Sequence, residues 1–514
     1  MVKIVGMIFG EVGYGDFNFI VSKDCNLQRG EYVKVNHDAY GWVLGQVRGI
    51  RRYNEMYSLN AITGVSLPRE EAAERIVANA KVIGYIDARG LLMAPRMPFR
   101  PGEKVYQADG GIIKRALRLE TRSGIYLGML EGHGGSVPVY LNPNKLVQKH
   151  ISVLAKTGAG KSYTVGVLVE ELIEKKVPVV IMDPHGEYAS LKYANTNPRE
   201  IAAMQKFGIS PKGYSNVVEF TPDQHVNPRA DRELTLDITK LTIADFMGML
   251  PTRLSDNQKG ILFEALKVVK GYGKYTLKDI IRVIQEHESK AKWNLITNLE
   301  MLRESKIFEG HPVHPSDIVK PEMVSVINLR GIQPEIQEIV VARLITEIFE
   351  DRKRGRVPPL LLLLEEAHNF APERGFGSTC ASKIIRTVAS EGRKFGLGLC
   401  VLSQRPARID KSVLSQCNTQ IILKVTNPND LRAISQSIEG FTQDLEEEIK
   451  QLQPGVALVV GDVVEQPIFV DVRVRKSRHG GVSVEVVRER ATRKAPAPKF
   501  GGFLRRVFTR IQGN

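Results

Sequence analysis

Four stretches of this 514-residue chain hold residue types at spacings that could do chemistry. The first is Ala155-Lys-Thr-Gly-Ala-Gly-Lys-Ser162, which follows the strand-forming run "ISVLA" and precedes the helical pattern "SYTVGVLVEEL". Strand before and helix after is the setting in which a glycine-rich loop wraps phosphates. Gly158 and Gly160 let backbone N–H groups turn onto phosphate oxygens, and the following helix adds the partial positive charge of its N-terminus. Lys161 reaches the β- and γ-phosphates, and Ser162 offers a hydroxyl to Mg2+. Ala155 stands where the general pattern has Gly; Lys156, Thr157, Ala159 and Tyr163 complete the expected nucleotide-binding segment. ATP with Mg2+ is the expected cofactor.

The second stretch, "PLLLLLEEAHNFAP" from Pro359 to Pro372, runs a buried strand straight into two carboxylates. Acids beside a core are costly without cations or donors nearby. Glu365 is expected at the Mg2+-water position and Glu366 one residue on, where it polarises the attacking water. The third, "VPVVIMDPHGEY", places Asp183 at a strand's carboxyl end, where α/β sheets put their ligands. Asp183 is read as a Mg2+ or water-network residue, while His185 fits a capped polar turn as well as a direct role. The fourth, "ASEGRKFGLGLCVLSQRPARID", delivers Gln404 from a strand tip, where an amide can sense a γ-phosphate. Arg393, before that strand, fits either a finger reaching a neighbouring subunit's site or a solvated residue favoured by the helix dipole. Arg405, Arg408 and Lys411 follow and are candidates for phosphate contacts along a nucleic acid, or a solvated basic loop.

These residues need elements to hold them. From residue 1 to 148 short runs such as "KIVGMIF", "FNFIVS", "EYVKVN" and "GWVLGQVRGI" alternate with Gly and Asp/Asn turns, which predicts a small β-barrel. From 149 to 464 eight apolar runs ("ISVLA", "PVVIMD", "VVEF", "VSVINL", "PLLLLLEE", "LGLCVLS", "TQIILKV", "GVALVV") alternate with helical patterns, which predicts an α/β core with a doubly wound parallel sheet. A helix-like insertion interrupts it at about 234–306, and 465–514 reads as a basic C-terminal tail that carries two strand-like segments, "PIFVDVRVR" and "VSVEVVRER", and a short basic amphipathic piece, "FLRRVFTRI". The net charge is +15 and the pI about 9.5, pointing to a polyanionic partner. From Asp471 to Asn514 twelve Lys/Arg face three Asp/Glu, so +9 of that charge sits in the last 44 residues, as a solubilising extension or a contact surface. The four cysteines form no C-x-x-C pair, against a disulfide framework or zinc site. No secretory signal is seen and no apolar run approaches the ~20 residues that span a bilayer, so a soluble, cytoplasmic protein without membrane contact is expected.

Taken together, "AKTGAGKSYT", "DPHGEY", "LLLLEEAHNF" and "SEGRKFGLGLCVLSQRP" behind a strand-rich N-terminal region resemble the HerA-FtsK superfamily of RecA-like motor ATPases, and most closely the archaeal HerA DNA translocases. The resemblance implies a RecA-like P-loop core with an N-terminal barrel and a helical-bundle insertion. It implies a homohexameric ring around double-stranded DNA, with Lys161, Ser162, Asp183, Glu365, Glu366 and Gln404 on one side of each ATP and Arg393 of the neighbour on the other. It further implies a barrel that docks a NurA-type nuclease for DNA-end resection in recombinational repair, and a basic segment that braces the adjacent subunit. Two other functions fit parts of the pattern: a ring ATPase that moves single-stranded DNA or protein, and a non-hydrolysing nucleotide-gated clamp.

Overall fold

The structure, a computed structural model, describes residues 3–54, 74–119, 123–132, 137–241, 243–250, 254–438 and 441–481. The N-terminal strands are β1 (Ile4–Ile8), β2 (Asp16–Val21), β3 (Tyr32–His37), β4 (Gly41–Asn54), β5 (Glu74–Ile86), β6 (Leu92–Met93) and β7 (Lys104–Gln107). They run in the order β2-β1-β7-β3-β4-β5-β6, all antiparallel, and a β2–β5 pairing closes the first six into a barrel. Alternation supplies its core: on β2, Phe17, Phe19 and Val21 face in while Asp16, Asn18 and Ile20 face out. β4 is long enough to serve two neighbours because register shifts at Leu44/Gly45 and Val47/Gly49 bend it around the ring.

The second sheet contains β8 (Ile125–Leu130), β9 (Pro138–Leu141), β10 (Ile151–Leu154), β11 (Val179–Asp183), β12 (Val217–Thr221), β13 (Arg232–Glu233), β14 (Val324–Asn328), β15 (Leu360–Leu364), β16 (Leu397–Ser403), β17 (Thr419–Ile422), β18 (Val456–Gly461) and β19 (Ile468–Val472). Its order is β13-β12-β14-β11-β15-β16-β10-β17-β18-β19-β8-β9, parallel from β13 to β17 and antiparallel beyond. Each of the eight apolar runs named above forms one of its strands. The leucine run shows why they are apolar throughout: Leu360, Leu362 and Leu364 enter the core on one face, with Ile345, Ile348 and Val388, while Leu361 and Leu363 enter the core on the other, with Val165 and Leu172. Covered on both faces, such a strand has no polar side.

Between β13 and β14 the described residues form the helices Ile243–Met249, Asp256–Lys270, Leu277–Gln285 and Lys292–Glu304. Reciprocal side-chain caps, Ser255 with Gln258 and Thr276 with Asp279, start the second and third. Their inward Ile261, Leu262, Ile280, Ile284, Leu295 and Leu299 join one of the two sheet cores.

Two boundaries differ from those expected. The β8–β9 hairpin falls within 1–148 but belongs to the second sheet, and β19 falls within 465–514 but pairs with β18 and β8. After β19 the chain does not leave the body. Residues 473–480 lie as a strap across the helix Lys161–Glu174, held by an Ala194↔Ser477 bridge and by Asn195 N–H and Lys212 N–H donating to Lys476 C=O. Arg473 is fully buried and donates to Glu170 (2.9 Å), Glu171 (2.8 Å) and the Tyr126 carbonyl (3.2 Å). The run of basic residues concealed this, because a tail and a counter-charged strap have the same composition. The segments "VSVEVVRER" and "FLRRVFTRI" lie outside the described residues.

Removing one partner of a buried ion pair strands the other. Arg473→Met is expected to lower the free energy of unfolding by about 3–5 kcal/mol, read as a lower urea midpoint, whereas the exposed Arg478→Met should stay within about 0.5 kcal/mol of the parent.

Candidate nucleotide site at the carboxyl edge of the sheet

Strands β10, β15 and β16 are parallel neighbours in the order β15-β16-β10, so the segments that follow them emerge along one edge. Residues 155–160 leave β10 as a loop, and the helix Lys161–Glu174 starts directly behind it. Gly158 (φ 76°) and Gly160 (φ 94°) are left-handed, and a Cβ at Gly158 would meet nothing within 4 Å, so this part of the loop faces open space. Ala155 is buried with a negative φ, so its methyl costs the backbone nothing there. Its N–H donates to Ser403 C=O at the end of β16, and Lys156 N–H to Lys424 C=O after β17, which fixes both flanks of the loop.

The Lys161 ammonium is buried and pairs with both carboxylates, with Glu365 Oε1 at 2.9 Å and with Glu366 Oε1. Glu366 adopts a left-handed backbone (φ 49°, ψ 49°), which for a residue with a Cβ costs about 1–3 kcal/mol. That turn off β15 coincides with the side chain meeting Lys161. Gln404 closes the group: its Nε2 donates to Glu366 Oε1 at 2.7 Å, and its Oε1 accepts from Thr157 Oγ1 in the loop. Burial works against ionisation of Glu366, but Lys161 and Gln404 outweigh it and hold the carboxyl below its ordinary range. His368, which sequence reasoning passed over although it lies in "EEAHNF", has its Nδ1 3.0 Å from Ser403 Oγ and 3.3 Å from Glu366 Oε2.

Other expected residues sit differently. Asp183 is fully buried, and its oxygens are taken by backbone donors: Oδ1 by His185 N (3.2 Å) and Gly186 N (2.8 Å), Oδ2 by Tyr188 N (3.0 Å). It shapes the 184–188 turn rather than reaching into the loop. Burial, with Glu365 nearby, pushes its carboxyl up to about 7 against the pull of those amides. The Tyr163 phenol turns away from the loop, donating to Glu200 Oε2 (2.9 Å) and accepting from Arg475 N in the strap (2.9 Å). Ser162 is half-buried in the helix's first turn. Arg393 is exposed and precedes β16, at the opposite edge of the sheet from Lys161, so it cannot serve the site of its own chain. Arg405, Arg408 and Lys411 follow β16 on the site's own edge and are exposed; Arg408 lies over the Phe376 ring at 5.2 Å.

The donor set fits a magnesium nucleotide. Two carboxylates share one ammonium, so the site holds an excess of negative charge that a divalent cation offsets. Among the described residues no cluster of three or more His, Cys, Asp or Glu could hold a metal alone. The acid pair suits Mg2+, which is commonly held by one or two protein oxygens together with substrate phosphates.

Loop, paired acids and amide on adjacent parallel strands define a P-loop ATPase with a RecA-like core. Residues 125–348 match the family described as helicase HerA, central domain, and residues 5–88 the HAS barrel domain. The DNA double-strand break repair helicase HerA of Pyrococcus furiosus is 27% identical, the match covering 93% of this chain and 94% of that one. The protein of the same name from Saccharolobus solfataricus is 27% identical over 95% of each. The chain is thus HerA-like over nearly its whole length, and it is an enzyme, an ATP hydrolase of the helicase and translocase kind. In fold it is also similar to VirB4 of Thermoanaerobacter pseudethanolicus, with TM-score 0.52 and 18% identity over 69% of this chain and 97% of that one. No helix among the described residues is long and apolar enough to cross a membrane.

Gln404→Ala removes a hydrogen bond to a charged group, worth about 1.5–3 kcal/mol. Steady-state kinetics should show kcat lower by about 10–100-fold with nucleotide affinity little changed.

Proposed function

We propose that the chain is an ATP-driven double-stranded DNA translocase, working as a homohexameric ring with a NurA-type nuclease in DNA-end resection for recombinational repair in the cytoplasm. The observation that carries this reading is the convergence of Lys161, Glu365, Glu366 and Gln404 at one sheet edge while Arg393 stands at the other. Such a site is complete only when another subunit brings its own Arg393 to it. The names of the relatives supply the DNA-repair context, and the charge of +15 suits a phosphate-lined partner.

In this reading Gly158 and Gly160 open the backbone around the phosphates, and Lys161 exchanges its carboxylate partners for phosphate oxygens as nucleotide enters. Ser162 and Glu365 would hold Mg2+, which would supply neutralisation of charge on the phosphates. Glu366, released from Lys161, loses the counter-charge that depresses its proton affinity and becomes a better base for the attacking water. Gln404 links that acid to Thr157, so the state of the loop reaches β16. From there the chain passes to Arg405, Arg408 and Lys411, which we assign to phosphate contacts in the channel. Asp183 supports the site by forming its turn. The barrel docks the nuclease, and the basic segment past the strap braces the next subunit.

Glu366→Gln should bind nucleotide as the parent does and lose about 10^2–10^4-fold in ATP turnover, with and without linear duplex DNA; unchanged turnover would defeat the assignment. Mixing Arg393→Ala subunits with Lys161→Ala subunits should restore part of the ATPase activity, since some junctions then hold an intact loop facing an intact Arg393. Assembled mixed rings with no recovery would show that Arg393 is not a finger.

A further inference from the structure

Tyr188 is a fully buried ionisable side chain that the mechanism leaves unused. Tyr188 ends the turn that Asp183 shapes, and its phenol donates to Glu365 Oε2 at 2.6 Å. The other oxygen of the same carboxylate, Oε1, meets Lys161 Nζ at 2.9 Å. The two oxygens of Glu365 are therefore not equivalent: one is tied to a rigid phenol, the other is turned to the loop. Glu365 is itself only 1% exposed, and its N–H donates to Met182 C=O, so its backbone is tied to β11 as well.

We propose that Tyr188 is a positioning residue for the metal side of the site: its phenol holds Glu365 in the one rotamer that presents a single oxygen toward Lys161 and Ser162. The inference rests on the ATPase reading and adds a residue to it.

Several contacts make Tyr188 fit to hold that position. Its N–H is bound to Asp183 Oδ2, and it opens the short helix Tyr188–Lys192. The strap closes over the same turn so tightly that a Cβ at Gly480 would lie 2.3 Å from Glu187 C=O. A phenol keeps its proton at neutral pH, so with no other acceptor for it among the described residues the hydroxyl serves Glu365 as a donor. Phenylalanine would fill the same space and donate nothing. A carboxylate freed in this way can rotate to give both oxygens to Lys161, which withdraws it from the metal. Outer-shell partners of this kind typically change metal affinity or activity by about 10–100-fold when removed.

The test uses the full chain and a fluorescent N-methylanthraniloyl-ADP probe, titrated first in EDTA and then with Mg2+. Tyr188→Phe should bind the probe in EDTA as the parent does, which reports an intact loop and fold. Its Mg2+ requirement for enhanced binding should rise by about 10–100-fold, and kcat should fall while KM at saturating Mg2+ stays near the parent value. In a double-mutant cycle with Glu365→Gln, the Tyr188→Phe effect on the Mg2+ requirement should vanish, because the residue acts through that carboxylate. An unaltered Mg2+ requirement, or an effect that persists in the Glu365→Gln background, overturns the proposal. Failure of the ATPase reading would look different: the parent protein would show no turnover that depends on Glu366, whatever Tyr188 does. Should Tyr188→Phe lose probe binding in EDTA, the hydroxyl serves the fold rather than Glu365, and the proposal is overturned in that way.

Discussion

One ammonium shared by two carboxylates in a nearly water-free pocket sets the terms for this site. Lys161 is 6% exposed, Glu365 1% and Glu366 4%. In such surroundings an unbalanced charge is expensive, and the three groups together carry one more negative than positive. Each surrounding contact answers that imbalance. Tyr188 and Gln404 donate to the carboxylates, the helix Lys161–Glu174 begins at the loop, and Asp183 is kept away by three backbone amides of its own. In the proposed mechanism phosphate and a divalent cation relieve that imbalance, so nucleotide entry and the release of Glu366 are parts of one exchange.

The same principle operates a layer further out. The helix that carries Lys161 also carries Glu170 and Glu171 on its buried side, and Arg473, Lys476 and Ser477 answer them from the strap. Arg475 lies against Gly166, where an added Cβ would fall 2.6 Å from its guanidinium carbon, so the strap's approach depends on that position lacking a side chain. Tyr163, next to Ser162, is bound to the strap's backbone. The strap is thus fastened to the nucleotide helix at Glu170 and Glu171 and, through Tyr163, at its first turn.

The local motifs were legible because backbone chemistry leaves few residue choices. Left-handed turns at a phosphate loop ask for Gly158 and Gly160, and a strand covered on both faces asks for the leucine run before Glu365. Eight strands of the second sheet were readable for the same reason, and the barrel strands from alternation between turns, whereas the β8–β9 hairpin and β13 were not read. Tyr188 and His368 lay in plain view inside "DPHGEY" and "EEAHNF", yet nothing in their spacing marked them, since an aromatic or an imidazole beside a strand end is ordinarily packing. Asp183 was assigned to the ligand because carboxylates at strand ends commonly face one. Only the turn's backbone shows that its oxygens are already occupied.

From the amino-acid order alone came the nature of the protein: a barrel, a P-loop core, a paired-acid strand and the resemblance to HerA-type motors. These follow from local rules, periodicity and glycine placement, that act over a few residues. Tertiary structure alone decided which acid meets Lys161, that Glu365 offers one oxygen rather than two, that Arg393 faces away from its own site, and that part of a basic tail is a buried strap. Those outcomes depend on strand order and on charge compensation between residues hundreds of positions apart, such as Glu170 and Arg473, and no local pattern encodes which distant partner will neutralise a buried charge.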